Sequence, residues 1–164
     1  MGTPLQEQGM DLILWRHAEA EDGTPDHARA LTGKGQQQAA TMARWLKSHL
    51  PKDMKILVSP ARRAQQTAEA LGLAFETCEA LAPQSDATEV LRAAGWPDGK
   101  RVLVVVGHQP TLGQIAAQLL TSSSADWPIK KGGVWWLTNR GTQGESQARL
   151  EAVIAPNLLQ KGKH

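Results

Sequence analysis

Leu12-Ile13-Leu14-Trp15-Arg16-His17 runs four apolar residues straight into an arginine and a histidine, and Ala18-Glu19-Ala20-Glu21-Asp22-Gly23 then drops into polar loop composition. A short continuous apolar run bounded by a turn reads as a strand buried on both faces. A buried strand that ends in two chemically able side chains places them at the carboxyl edge of a sheet, which is where open α/β sheets bind ligands.

Outward from this strand, polar residues lead to Leu31-Thr32-Gly33-Lys34-Gly35, with Thr32 as a helix N-cap. Ala39, Met42, Ala43, Leu46 and Leu50 then recur at helical spacing, which predicts a helix over residues 35–49 that Pro51 ends. Residues 55–58 read as a second strand. Ser59 is expected as the N-cap, and Pro60 in the first turn, of a helix over residues 61–71 closed by Gly72. A third strand is expected over residues 73–77 and a short helix over 86–94. Val102-Leu103-Val104-Val105-Val106 forms the densest β-branched run, within a strand predicted over residues 101–106 that ends in Gly107-His108-Gln109-Pro110. A helix over residues 111–120 follows. Residues 132–139 and 148–154 read as two later strands joined by a turn at residues 140–145, a hairpin signal. Period-two alternation would put one of Trp135 and Trp136 inside and the other outside.

This alternation predicts the α/β class: a single-domain three-layer α/β/α sandwich whose sheet is mostly parallel, with a C-terminal antiparallel hairpin or edge strand. The length of 164 residues fits one domain with one good core. Residues 1–10 read as a flexible leader, 11–158 as the domain and 159–164 as a flexible tail. The net charge of +2 gives no overall basic field for nucleic acid. No apolar run approaches the roughly 20 residues that span a bilayer, and no membrane partner is expected. The single cysteine, Cys78, excludes an internal disulfide and a cysteine-based zinc cage, and it fits a cytoplasmic location.

Three predicted strands end alike: the first in Arg16-His17, the second in Ser59-Pro60 with Arg63 one turn into the next helix, the fourth in Gly107-His108. Parallel neighbours would bring two histidines and two arginines to one edge, and Arg29 could add a third arginine. Arginine suits bidentate recognition of phosphate, and histidine can attack phosphorus or donate a hydrogen bond. The arginines would oppose a bound dication, and no His/Asp/Glu cluster has metal-ligand spacing. No Walker loop is present, so neither a metal nor another cofactor is expected.

Leu14-Trp15-Arg16-His17-Ala18-Glu19 resembles the RHG/RHA signature of the histidine phosphatase superfamily, also called phosphoglycerate-mutase-like. Residues 58–67, Val-Ser-Pro-Ala-Arg-Arg-Ala-Gln-Gln-Thr, resemble its SPxxRAxQT element, and Val106-Gly107-His108-Gln109-Pro110 its second-histidine element. Residues 26–35 resemble the D-x-x-R-x-L-T-x-x-G stretch of the small SixA-type phosphohistidine phosphatases. The resemblance implies His17 as the nucleophile that becomes phosphorylated, Arg16 and Arg63 as phosphoryl ligands, and His108 as stabiliser of the transferring group. It also implies Arg29 as an additional phosphate contact. Arg62 falls at a variable position and reads as a solvated helix charge.

Clustered cations should depress the imidazole pKa and keep His17 neutral, with its second ring nitrogen donating to a backbone carbonyl. The resemblance does not assign a general acid: Glu79, Asp86 and Glu89 match no firm context, and Glu19 and Asp26 lie nearer in sequence. A missing acid and a short span between the third and fourth strands favour an open site and a phosphohistidine protein as substrate, with inorganic phosphate as product. The alternatives are a small-molecule phosphomonoesterase of the same superfamily and a non-catalytic phosphoprotein-binding domain.

Overall fold

The computed structural model describes residues 9–99, 101–139 and 148–160. In chain order the elements are β1 (Met10–Arg16), α1 (Gly33–His49), β2 (Lys55–Val58), α2 (Arg62–Glu69), β3 (Glu76–Thr77) and α3 (Ala87–Ala94). They continue as β4 (Val102–Gly107), α4 (Thr111–Thr121), β5 (Val134–Asn139), β6 (Arg149–Ile154) and α5 (Pro156–Leu159), with 3₁₀ turns at Asp26–Ala28 and Glu79–Leu81. Six strands form one sheet in the order β3-β2-β4-β1-β5-β6. The four strands β1 to β4 are parallel, and β5 and β6 add an antiparallel edge. The fold is the expected α/β/α sandwich; the turn predicted at residues 140–145 lies outside the described residues.

Alternate residues of β1 divide between two cores, as the period of two requires. Leu12 and Leu14 join Leu103, Val105 and Leu137 under α3 and α4, packed by Val90, Leu112 and Ile115. Ile13 and Trp15 join Ile56, Val58, Val104 and Val106 under α1 and α2, packed by Met42, Leu46, Ala64 and Ala68. Both faces of β1 are therefore sealed, and the chain can expose polar groups only where the strand ends.

Several local expectations are corrected. β3 has two residues rather than five, because only Glu76 and Thr77 pair with Leu57 and Val58, while Leu73 and Phe75 turn their apolar side chains onto the second core. β5 begins at Val134 rather than residue 132. Gly132 has φ +73°, a left-handed turn position that a strand does not use. Trp135 and Trp136 do take opposite faces, but neither is an outward residue. Trp135 packs beside Trp127 with ring centroids 5.9 Å apart, and Trp136 meets Trp45 edge-on at 6.2 Å. Met10, assigned to the leader, is fully buried at the start of β1, and Leu159, assigned to the tail, packs on the second core.

Candidate active site

The parallel register places the site. Arg16 lies opposite Gly107 across β1 and β4, so His17 and His108 follow the two strand ends side by side. Val58 lies opposite Val106, which brings Ser59 and the first turn of α2 to the same edge. The rings of His17 and His108 are 5.2 Å apart between centroids and inclined by 57°.

The His17 main chain is fixed on both sides. Its N–H donates to Gly107 O at 3.0 Å, and its carbonyl accepts from Gly132 N–H at 3.0 Å. The Trp15 indole N–H donates to Gly132 O at 3.0 Å, and the Arg16 N–H to Gly133 O at 3.0 Å. The nucleophile candidate thus stands on a strand end clamped between β4 and the loop before β5.

His17 Nδ1 lies 2.7 Å from the carbonyl oxygen of Ala18. A carbonyl only accepts, so Nδ1 carries the proton and Nε2 presents a lone pair. Arg63 Nε–H donates to that Nε2 at 3.3 Å. Burial is the main cause that lowers the His17 pKa to about 4. Arg63, Arg16 and Arg29 lower it further, against the bond to Ala18, which raises it. Cations act in the expected direction, but the loss of water around a nearly buried ring is the larger cause.

Arg63 is only 4% exposed. Its charge is balanced by Asp26: Nη1 donates to the Asp26 carbonyl at 2.9 Å and Nη2 to Asp26 Oδ2 at 3.1 Å. The other carboxylate oxygen accepts Arg29 Nε–H at 3.0 Å, and Arg29 Nη1 also donates to Glu21 O at 2.9 Å. Burial of Asp26 is the largest single influence and opposes ionisation, but the hydrogen bonds from Arg63 and Arg29, with the charges of both, together outweigh it and hold its carboxyl below the ordinary range. Arg16 sends Nη1 to Ile129 O at 2.8 Å, and burial lowers its pKa. Thr67 links the two halves of the site, because its hydroxyl accepts Ala18 N–H at 3.0 Å and donates to Arg63 O at 2.7 Å.

His108 is buried, and its Nε2 meets Ser59 Oγ at 2.8 Å. Burial is the first cause that lowers its pKa to about 3, followed by His17 and Arg63. Two buried nitrogens of this cluster have no hydrogen-bond partner among the described residues: Arg16 Nε and His108 Nδ1. A buried polar atom left unpaired costs about 1–3 kcal/mol. At Arg16 Nε–H, which can only donate, an incoming group with acceptor oxygens would remove that cost. Among the described residues, no group of three or more His, Cys, Asp or Glu is placed to hold a metal ion.

The chain is similar to proteins of one known family. The profile of the "Histidine phosphatase superfamily (branch 1)" matches residues 12–90. A Haemophilus influenzae protein named phosphohistidine phosphatase SixA homolog is 35% identical over 130 residues, covering 67% of this chain and 77% of that protein. The chain belongs to the histidine phosphatase superfamily. Escherichia coli K12 phosphohistidine phosphatase SixA is 31% identical over 119 residues, covering 67% of this chain and 74% of that protein. In three dimensions, a SixA candidate from Nakamurella multipartitia superposes with a TM-score of 0.77 at 28% identity, over 90% of this chain and 96% of that one. A structure of the protein histidine phosphatase SixA complexed with tungstate has the same fold, with a TM-score of 0.76 at 24% identity, over 92% of this chain and 100% of that one. The chain is a phosphatase of this superfamily, in its SixA-type group.

In this histidine phosphatase the four residues Arg16, His17, Arg63 and His108 converge. Arg29 reaches the rim through Asp26, and Arg62 is exposed on α2. The mid-chain carboxylates have other places. Asp86 and Glu89 form a capping box at the start of α3, and Glu79 is exposed on the turn after β3. Glu19 accepts the Thr32 hydroxyl at 3.0 Å, and Thr32 in turn caps α1 through Gly35 N–H.

Three contributors were not assigned from sequence: Asp26 as the anchor of both arginines, Thr67 as the strut under Arg63, and Ser59 beside His108. All three lie inside the quoted motifs, which was the available signal. Ser59 also departs from its expected role. The N-cap of α2 is Ala61, with no side-chain cap, and Ser59 Oγ accepts the Ala61 N–H at 3.1 Å.

Proposed function

We propose that this phosphatase is a metal-independent phosphohistidine phosphatase that acts on histidine-phosphorylated proteins in the cytoplasm. The observation that carries the reading is His17: its Nδ1 proton is held by Ala18 O, and its Nε2 lone pair faces Arg63 in a pocket where two further buried nitrogens, Arg16 Nε and His108 Nδ1, have no partner among the described residues. In the first step, Nε2 attacks phosphorus. The new N–P bond forms as the bond to the substrate's leaving nitrogen breaks, and that nitrogen keeps the electron pair. Arg16, Arg63 and His108 hold the phosphoryl oxygens, where such chemistry depends mainly on positioning and electrostatics. In the second step, water attacks phospho-His17 and releases inorganic phosphate, and a proton returns to solvent.

The preference for a P–N bond rests on Asp26. An alkoxide leaving group needs a general acid, but two guanidinium groups keep the Asp26 carboxyl ionised and so a poor proton donor. A phosphohistidine protonated on its ring departs as neutral imidazole without such help. The names of the relatives at 35% and 31% identity point the same way. Free, half-buried Cys78 suits a reducing compartment, and no described helix is long and apolar enough to cross a membrane.

The test is phosphate release from a histidine-phosphorylated protein and from p-nitrophenyl phosphate, with His17→Ala as control and with EDTA in a parallel arm. Faster turnover of the phosphoprotein, lost in the variant and insensitive to EDTA, is expected. Preference for the ester would overturn the substrate assignment, and inhibition by EDTA the metal-free one.

A further inference from the structure

The Ser59 side chain is fully buried, and its oxygen has two contacts of different kinds: His108 Nε2 at 2.8 Å and the Ala61 backbone N–H at 3.1 Å. A serine hydroxyl has one proton and two acceptor positions. Ala61 N–H fills one acceptor position, since a backbone N–H can only donate. The contact with His108 then has two possible arrangements.

In the first, the serine O–H donates to Nε2 and the imidazole carries its proton on Nδ1. Of this serine–histidine pair, the one group then left without a partner among the described residues is His108 Nδ1–H, a buried donor. In the second, Nε2–H donates to the serine oxygen. The hydroxyl proton then has no acceptor among the described hydrogen bonds, and Nδ1 is left as a bare, buried lone pair. The second arrangement strands two polar groups where the first strands one. Each buried unsatisfied group costs free energy, so the first is preferred.

The unpaired group also differs in what it can do. A bare lone pair beside His17 would repel a phosphoryl oxygen. An N–H there would donate to it without adding a charge that must be desolvated. The neighbouring Arg16 Nε–H, likewise buried and unpaired, points to the same kind of ligand: an anion rich in acceptor oxygens.

We propose that Ser59 is a positioning residue whose hydroxyl donates to His108 Nε2, fixing the Nδ1–H tautomer and so supplying a neutral donor to a phosphoryl oxygen at His17. The inference rests on the reading of His108 as a phosphoryl ligand. It gives the serine of the second motif a task that its place ahead of α2 conceals. A purely structural role, closing the turn onto Ala61, would require only that the oxygen accept.

Imidazole nitrogen NMR on histidine-labelled protein at pH 7 reads the tautomer directly, with His108→Asn to identify the signals. Wild type should show His108 with a protonated Nδ1 and an unprotonated Nε2, and titrated inorganic phosphate should shift the Nδ1–H signal. Ser59→Ala should give a mixture of tautomers, weaken phosphate binding and lower turnover about tenfold, less than the roughly 10²–10³-fold for outright loss of an aimed donor, because a share of the molecules keeps Nδ1–H. Ser59→Thr, which keeps the hydroxyl, should restore the tautomer.

A protonated Nε2 in wild type would overturn the proposal, even if Ser59→Ala does not fold. An unchanged tautomer in a folded Ser59→Ala would overturn it as well. Because the tautomer and phosphate binding are read without turnover, they stand apart from the substrate assay. An enzyme inactive on phosphohistidine but with Nδ1–H fixed by Ser59 would refute the substrate and not the inference.

Discussion

The His17 ring ties folding stability to pH in a direction that can be worked out in advance. An exposed histidine titrates near 6.5, whereas burial and the three arginines bring His17 to about 4. Between these values the unfolded chain binds a proton that the folded chain does not, so stability falls as pH drops through that window. Above pH 6.5 the folded state has the whole contribution, and below about 4 it has lost it. At 1.36 kcal/mol per pH unit, the window corresponds to about 3 kcal/mol, a large share of a typical domain's 5–15 kcal/mol. The assay is urea unfolding from pH 7.5 to pH 4 in phosphate-free buffer, comparing wild type with His17→Asn. Asparagine does not titrate, so the stability curve of the variant should be flatter than wild type by about that 3 kcal/mol. His108 is retained in both and contributes its own acid limb to each. The same pKa predicts that kcat/KM, corrected for substrate ionisation, has no enzyme limb between pH 7 and pH 5. Parallel stability curves for the two proteins, or a kinetic limb with a midpoint near 6.5, would refute the assignment of His17 as a buried neutral nucleophile.

Arg63→Ala should lower kcat/KM by about 10²–10³-fold, the usual effect of removing one aimed donor, and Arg63→Lys should fail to restore it because an ammonium cannot reproduce the fork. Rates within threefold of wild type would remove Arg63 from the site. Asp26→Asn keeps the bonds from the Arg63 fork but deletes the countercharge. Because Asp26 is exposed, inhibition by phosphate should strengthen by only about two- to fivefold, and less at high salt; weaker inhibition would contradict the clamp. At Gly35 an added methyl would collide with the Glu19 carbonyl just after the nucleophile. Gly35→Ala should therefore cost about 1–3 kcal/mol in urea unfolding and reduce activity, and a neutral result would mean that the loop can yield.

Residue order alone specified the sandwich and the gathering of Arg16, His17, Arg63 and His108 at the carboxyl edge of its sheet. These were legible because apolar runs and their polar ends are local signals. A strand of Leu, Ile and Trp must be covered on both faces, and its first polar residues emerge where cover stops. The tertiary structure decided what each side chain is bonded to. Asp26 and Arg63 are thirty-seven positions apart, Ser59 and His108 forty-nine, and no periodicity links such pairs. Ser59 was expected as a cap for α2, because serine before proline commonly serves that purpose. The parallel pairing of β2 with β4 instead set its oxygen against the His108 ring. The protonation of His17 was set in the same way. The motif supplies the imidazole, but burial on the closed sheet edge favours its neutral form and the carbonyl of Ala18 holds the Nδ1 proton, which leaves the lone pair on Nε2. Desolvation and hydrogen-bond direction depend on every element packed around a group, so they exist only once the chain has folded.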